Sequence, residues 1–168
     1  MKLPIPKGKR AILVIGLPLG LAAAGAFGFM QMSAAGSTPV KVPDPQPGQL
    51  GPMLALEDRV INLNTTTATS YKYAKVGVSI EVRPSTASFY DLHGEARTKS
   101  ETTELEEYQD ELPRLLDALG GVVSAHDSAT LITPDGRAKL KSELLDACRK
   151  ILGPEEVLDV YFTNLVMQ

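Results

Sequence analysis

The first strong hydrophobic pattern of the chain is an uninterrupted apolar run near its start. Residues 11–30 read AILVIGLPLGLAAAGAFGFM and contain no charged side chain. Twenty residues of helix span about 30 Å, which matches the hydrocarbon core of a bilayer. Since no second apolar stretch of comparable length follows, the pattern predicts a single transmembrane helix over residues 11–32.

The residues around this run predict its orientation. Residues 1–10 hold four bases and no acid, which predicts a cytoplasmic basic tail and places the rest of the chain outside the cytoplasm. A cleaved signal peptide starts in the same way, and the small residues 33–36 would offer a cleavage site. The apolar region of a signal peptide is only about 7–15 residues long, so the length of this run favours an uncleaved anchor.

Small residues recur every four positions along the predicted membrane helix, on one face: Gly16, Gly20, Ala24 and Gly28. Such a stripe lets a second helix approach closely and favours helix packing in lipid. The alternative is that glycine and alanine are simply frequent in membrane helices. The run holds no ionisable side chain, which an ion pathway requires, so the predicted helix is not itself an ion-translocating unit.

A segment rich in proline and glycine follows. Residues 33–52 contain five prolines, which block helix and ladder formation, and three glycines. Twenty such residues reach about 60 Å when fully extended. The composition predicts a partly stiff linker that holds an outer domain, residues 53–168, clear of the membrane surface.

Alternating apolar and polar positions predict two strands at the start of the outer domain. Residues 53–63 have an apolar start, a charged break and a second apolar run, which is typical of a bent or bulged strand. Residues 64–70 are polar and predict a hairpin loop. Residues 71–82 alternate most clearly, and Pro84 ends the pattern. One face of this second strand is apolar: Val76, Val78, Ile80 and Val82.

Helical spacing appears further along. Residues 83–101 show no periodicity and predict a long irregular loop. A helix is predicted from Thr103, with Glu106 completing a capping box and the glycine pair 120–121 ending the helix. Pro113 lies inside this pattern and predicts a kink or a break into two helices.

A further helix and a closing strand complete the domain. Thr133 and Pro134 form an N-cap signature, and apolar positions keep helical spacing to Leu152, before Gly153. Val157–Met167 is apolar on both faces, which predicts a strand buried on both faces. The order predicts an α+β fold: a single N-terminal transmembrane helix, then a small mixed or antiparallel sheet covered by two helices.

Composition narrows the function classes. The net charge of −3 hides a split, because beyond the basic tail the chain carries 13 bases against 20 acids. An acidic body argues against nucleic-acid binding, which needs a basic face. One cysteine cannot form an internal disulfide, and two histidines far from it in sequence argue against a zinc site.

The residues that most often carry chemistry show no catalytic pattern. Cys148 lies on an apolar helical stripe, where cysteine acts as a small hydrophobe. His93 and His126 fall in predicted loops with no carboxylate or cysteine at ligand spacing, so both are predicted to be surface residues. No phosphate loop, nucleotide fingerprint, serine elbow or metalloprotease motif is present in the sequence. The sequence predicts no catalytic residue, no cofactor and no metal.

An acidic run is the strongest charge feature of the outer domain. Six acids and no base occur from Glu101 to Glu111. The structural interpretation is a solvated helix start, where acids meet the positive end of the helix dipole. The functional interpretation is a docking surface for a basic partner. Acids are common in first turns, which favours the structural interpretation.

Several segments resemble one protein family, in the same order. The closing residues 160–168, VYFTNLVMQ, closely resemble the last strand of the flagellar basal-body FliL family. Residues 133–141, TPDGRAKLK, and residues 113–119, PRLLDAL, are similar to two of its helix segments. The stretch VINL at 60–63 with YAKV at 73–76 resembles its hairpin. The resemblance covers residues 53–168.

This resemblance implies a non-enzymatic accessory of the bacterial flagellar basal body. It implies an outer domain of stomatin-like (SPFH) fold, anchored in the cytoplasmic membrane beside the MotA/MotB stator and self-associating, for instance in a ring. The implied role is support of torque in swimming and swarming, and so in motility and chemotaxis. An uncharged membrane helix fits a place beside an ion pathway.

Two other function classes stay open on the residues alone. A membrane-anchored enzyme of the cell envelope would need a nucleophile and base pair or a metal cluster, and the sequence shows neither. A generic membrane-anchored envelope binding module unrelated to the flagellum would share the anchor and the linker. The place of the gene among or away from flagellar genes separates that class from the family implied above.

Overall fold

The computed structural model describes residue 42 and residues 44–65 and 71–168, all within the compact unit Pro39–Gln168. The predicted basic tail, the membrane helix and its stripe Gly16, Gly20, Ala24 and Gly28 lie outside the described residues. So does most of the predicted hairpin loop. None of the helices formed by the described residues is long and apolar enough to cross a bilayer.

Four strands of the described residues form an antiparallel sheet: β1 (Met53–Ala55), β2 (Arg59–Asn62), β3 (Tyr73–Val82) and β4 (Val157–Met167). β4 pairs along the whole of β3, whereas β1 and β2 pair with the C-terminal and N-terminal parts of β3. Because a strand has two edges, β1 and β2 share the edge opposite β4, and β3 is central. The bent or bulged strand predicted over residues 53–63 is confirmed as two short strands separated at residues 56–58.

The helices lie between β3 and β4 in sequence. Two 3₁₀ turns and four α-helices occur there: Ala87–Asp91 (3₁₀), α1 (Gly94–Glu106), Gln109–Glu111 (3₁₀), α2 (Leu112–Ser124), α3 (Ser128–Ile132) and α4 (Pro134–Leu152). α4 has the predicted bounds. The Thr133 hydroxyl accepts a hydrogen bond from the Gly136 N–H at 3.0 Å, and Gly153 follows the last turn with a φ of +120°.

The core lies between one face of the sheet and the helices α2 and α4. The predicted apolar face of β3 is fully buried there, and each of the two helices contributes a buried stripe. The helical stripes are Leu115, Leu119 and Val123 on α2, and Leu140, Leu144 and Cys148 on α4. The predicted α+β arrangement, with two helices over one face of a small sheet, is confirmed for the described residues.

Two helix predictions are wrong. Residues 83–101 are not one irregular loop, because α1 starts at Gly94, and Thr103 lies inside α1 with its hydroxyl donating to the Lys99 carbonyl at 3.2 Å. None of the α1 residues is buried, so this helix carries no apolar periodicity for sequence analysis to detect. The glycine pair 120–121 does not end α2, because Val123 in the next turn is fully buried and continues the packed stripe.

The break predicted at Pro113 is confirmed. α1 ends at Glu106, a 3₁₀ turn follows, and α2 starts at Leu112 with Pro113 in its first turn. The missing N–H of proline costs nothing there, because the first N–H groups of a helix have no partner within the helix.

The prediction that β4 is buried on both faces is wrong. Val157 and Val160 are buried in the core, but Thr163 and Val166 are exposed. Residues directly opposite each other share a face, so Val160 joins Ile80 in the core while Val166 joins Lys75 on the other face. The packed helices α2 and α4 cover the core face, and the outward side chains of β4 face away from them.

The described part of the linker is not a free spacer. The Arg97 guanidinium donates to the Leu50 carbonyl at 2.7 Å, and the Gly51 N–H donates to the Glu81 carboxylate at 2.7 Å. The Val82 N–H donates to the Pro52 carbonyl at 3.0 Å. The part of the predicted linker that the structure describes from residue 44 to residue 52 is thus attached to the domain, and the spacing from the membrane stays a prediction.

Candidate functional site

The outer face of the sheet, opposite α2 and α4, exposes large apolar side chains. Val60, Tyr73 and Val166 are 67%, 47% and 47% exposed. Val60 and Val166 flank Lys75 in register across three strands, and Tyr73 is two residues from Lys75 on the same face. We call Val60, Tyr73 and Val166 the contact patch, since grouped exposed apolar side chains are typical of interaction sites.

A polar cluster lies beside the contact patch. Asp58 lies in the link between β1 and β2. Its carboxylate pairs with Lys75 at 3.0 Å and accepts a hydrogen bond from the Asn164 amide at 3.1 Å. These hydrogen bonds from Lys75 and Asn164 hold the pKa of the Asp58 carboxyl below its ordinary value. The cluster ties the β1–β2 link to β3 and β4, so its role is to fix the outer face.

A buried carboxylate lies near the other end of the same face. Glu81 accepts hydrogen bonds from the Gly51 N–H and from the Tyr161 hydroxyl, both at 2.7 Å. The hydrogen bond to Glu81, and then burial, raise the pKa of Tyr161. One oxygen of Glu81 therefore binds the linker and the other binds β4. The role of this carboxylate is to hold these two segments together.

The first acids of the acidic run do not lie at a helix start, where the structural interpretation places them. Glu101, Glu104 and Glu106 are in the second half of α1, where negative charge meets the negative end of the helix dipole. Glu101 accepts a hydrogen bond from the Met53 N–H at 2.8 Å, and Glu104 accepts from the Ser85 N–H at 3.0 Å and its hydroxyl at 2.6 Å. The prediction of a solvated helix start is wrong for these residues, since Glu101 fastens α1 to β1 and Glu104 fastens it to the turn after β3.

A cleft of about 790 Å³ lies between the start of α2, the end of α4 and the turn after β3. The residues that line it include Glu107, Glu111 and Leu152. The buried Tyr108 hydroxyl donates to Glu156 at 3.3 Å, and burial, followed by the charges of Glu107 and Glu156, raises the pKa of Tyr108. The tyrosine is therefore a neutral hydrogen-bond donor at ordinary pH.

The prediction that His126 is a surface residue is wrong. Its side chain is 8% exposed, and its Nε2 lies 2.7 Å from an oxygen of Glu143 on α4. The backbone carbonyl of His126 also accepts a hydrogen bond from the Asn64 N–H at 3.0 Å. The residue thus links the end of α2 to α4 and to the chain after β2, and the separation of 17 positions gives no local sequence signal for this pair.

The other two candidates lie where the sequence placed them. His93 is exposed at the N-cap of α1 and makes no side-chain capping bond. Cys148 is buried on the core stripe of α4, and burial raises its thiol pKa to about 11. A neutral buried thiol is a poor nucleophile. The described residues contain no group of three histidine, cysteine or acidic side chains placed to hold a metal ion.

Sequence analysis missed the residues that shape the outer face. Gly77 on β3 is not among the residues that the strand pattern singles out, and the structure shows that a β-carbon there would meet the Asp58 carboxylate and the Thr163 hydroxyl. A glycine inside a strand often marks a close approach, which is a signal that the pattern did contain. The contact patch had no such signal, because Val60 and Val166 look like ordinary strand valines.

Two comparisons with known proteins match the described domain to the same family. The family described as "Flagellar basal body-associated protein FliL" matches residues 53–168. The chain is 30% identical over 129 residues to a protein of Aquifex aeolicus (strain VF5) named "Flagellar protein FliL", and the alignment covers 76% of this chain and 68% of that protein. On both grounds, the chain belongs to the FliL family of flagellar basal body-associated proteins.

Proposed function

We propose that this chain is a membrane-anchored, non-enzymatic accessory of the flagellar motor that associates with the MotA/MotB stator and supports torque in swimming and swarming. The observation that carries the proposal is the extent of the family match. It spans residues 53–168, which include all four strands and the core helices α2 and α4. A flagellar accessory role follows from the family, and association with the stator is the further step.

The proposed anchor is the apolar run of residues 11–32. Its length and the preceding four bases support a single crossing of the cytoplasmic membrane, with the N-terminus inside and the outer domain outside the cytoplasm. The stripe Gly16, Gly20, Ala24 and Gly28 supports helix packing within the membrane, against a second copy or a stator helix.

The outer domain is proposed to act by contact. The outer face of its sheet presents the contact patch, while its histidine and cysteine side chains are either exposed without a capping bond, paired, or buried. A rigid sheet that exposes aromatic and aliphatic side chains is suited to a protein partner. The same domain is proposed to self-associate, in agreement with the family resemblance.

Deletion of the gene tests the flagellar role. We expect smaller swimming and swarming zones, with filaments still assembled and fewer engaged stators in tethered-cell torque steps. A plasmid copy of the intact gene should restore them, whereas a copy with Leu17→Arg and Leu21→Arg in the apolar run should not, because the anchor would be lost. Full motility without the gene would contradict the proposal.

In-cell photo-crosslinking tests the stator partner. A photoreactive amino acid at Val60, in the contact patch, should capture a stator subunit or a second copy. The same amino acid at Lys139, which lies exposed on the helix side of the domain, is the matched control. Capture from Lys139 with none from Val60 would contradict contact through the outer face.

A further inference from the structure

The end of the linker nearest the domain is held at two points. We call residues 44–50 the strap. At one end, the guanidinium of Arg83 pairs with the Asp44 carboxylate at 2.6 Å and donates to the Val42 carbonyl at 2.8 Å. At the other end, Arg97 of α1 donates to the Leu50 carbonyl at 2.7 Å. The two arginines therefore make the side-chain contacts that fix the strap at its ends.

Between these points most of the strap is exposed to solvent, and Pro45 and Gln49 are half-buried. None of its seven residues is buried, and the Asp44 side chain is 77% exposed. A turn at Gly48, whose φ is +91°, is closed within the strap by Gln46 and Gln49. A segment with polar contacts and little apolar burial opens locally at low cost.

The next two residues are fixed much more firmly. Gly51 and Pro52 are buried, and their backbone groups bond Glu81 and the Val82 N–H. Gly51 approaches the Val82 carbonyl so closely that a β-carbon would not fit. The linker is therefore attached most closely at residues 51–52, and the contacts that hold the strap before them include those of Arg83 and Arg97.

Arg83 keeps a partner that does not belong to the strap. Its Nε donates to the Glu155 carbonyl, in the turn before β4, at 2.8 Å. The Arg83 side chain is only 11% exposed, so this contact holds the guanidinium in place when the strap leaves.

We propose that the strap is a releasable latch that sets how far the outer domain stands from the membrane. With the strap docked, residues 33–41 are the spacer after the proposed membrane helix. With the strap released, the spacer extends to residue 50. Nine further residues in a proline-rich chain add about 28 Å of reach. The inference rests on the proposed membrane anchoring, and the latch itself can be tested without a membrane.

Spin-label distances in the purified full chain test the latch. In a Cys148→Ala background, nitroxides at Gln46→Cys on the strap and Lys139→Cys on α4 should give one narrow distance distribution. Arg83→Ala should broaden it toward longer distances, because the ion pair with Asp44 of the strap and the hydrogen bond to the Val42 carbonyl just before the strap are both lost. Arg114→Ala, which removes an exposed arginine paired with Glu111, is the matched control and should change nothing.

Two results would overturn the latch. One is an Arg83→Ala distribution as narrow as that of the parent. The other is an unchanged distribution in Asp44→Ala, which removes the carboxylate that pairs with Arg83. Because the Asp44 side chain is exposed, this variant should keep the domain folded and can be used if Arg83→Ala impairs folding. A thermal melt of each variant separates loss of the strap contact from loss of the fold.

Energy transfer to the membrane tests the standoff. A dye at Lys139→Cys should transfer less energy to acceptor lipids in liposomes carrying Arg83→Ala than in those carrying the parent chain. Equal transfer, with the strap shown released by spin labels, would contradict control of distance. A chain that fails to join liposomes would contradict the proposed anchor, while the spin-label result would still decide the latch.

Discussion

Gly77, at the centre of β3, lies directly beneath the carboxylate of Asp58. A β-carbon at Gly77 would fall well inside van der Waals distance of Asp58 and of the Thr163 hydroxyl. The absent side chain lets the β1–β2 link fold over the outer face, where Asp58 reaches Lys75 and Asn164. A glycine at this position thus lets the β1–β2 link share a polar contact with β3 and β4.

Gly77→Ala is expected to destabilise the domain by about 1–3 kcal/mol, because an added methyl group forces Asp58 and Thr163 out of place. Urea unfolding of the purified chain measures the change. Gly121→Ala is the matched control. Nothing lies within 4 Å of a β-carbon at Gly121 in α2, so alanine should add up to about 1 kcal/mol through helix propensity. A Gly77→Ala variant whose free energy of unfolding is unchanged, or is raised as much as that of Gly121→Ala, would contradict the close approach.

The stability of the domain is expected to depend on the charge of Asp58 at acid pH. Its folded pKa is lowered, so its contribution to the free energy of unfolding is complete above the ordinary aspartate pKa of about 3.9 and is lost as pH falls through the folded pKa. Asp58→Asn should therefore flatten the loss of stability on acidification. Melting temperatures between pH 6 and pH 2 measure this. Asp117→Asn, at an exposed position on α2, is the comparison, and an identical acid profile in both variants would refute the assignment.

The His126–Glu143 pair is expected to stabilise the packing of α2 on α4. His126→Ala should lower the free energy of unfolding by about 1–3 kcal/mol, since it removes a buried hydrogen-bonded ring. Glu143→Gln should cost less, because the amide can still accept a hydrogen bond. His93→Ala, at the exposed N-cap of α1, should change stability by under about 0.5 kcal/mol. A His126→Ala effect no larger than that of His93→Ala would show that the pair contributes nothing.

The two faces of β4 should respond differently to truncation of a valine. Val160→Ala removes two buried methyl groups from the core and should cost about 2 kcal/mol. Val166→Ala, in the contact patch of the same strand, should leave stability nearly unchanged and weaken crosslinking at Val60. Chemical unfolding and the crosslinking yield measure the two effects. Equal destabilisation would mean that Val166 is buried by a partner in the purified protein.

Loss of most of β4 is a stronger test of the fold. Deleting residues 160–168 removes most of the partner strand along one edge of β3, together with core contacts of Val160 and Phe162. At about 1.5–3 kcal/mol per buried large side chain, these two side chains alone contribute about 3–6 kcal/mol, against a total stability of roughly 5–15 kcal/mol for a small domain, and the lost strand pairing adds to the loss. The truncated chain should show no cooperative melt. A cooperative transition near the parent temperature would refute the placement of β4.

Local patterns predicted the elements that carry apolar periodicity or a cap. The β3 alternation, the Thr133 cap and the break at Pro113 each follow from a rule that acts within a few residues. α1 was missed because it is held by Glu101 and Glu104, whose partners Met53 and Ser85 lie 48 and 19 positions away. A polar helix fixed by distant backbone groups leaves no periodic signal.

The amino-acid sequence by itself determined the α+β order, the buried face of β3 and the family to which the chain belongs, because each is written in short-range spacing or in ordered similarity. Tertiary structure decided which face of β4 is open, which histidine is buried, and that the linker is bonded to the domain. The physical reason is that burial and polar pairing depend on which segments meet in space. The partners of Arg83, Asp58 and His126 come from segments that the folded sheet and helices bring together.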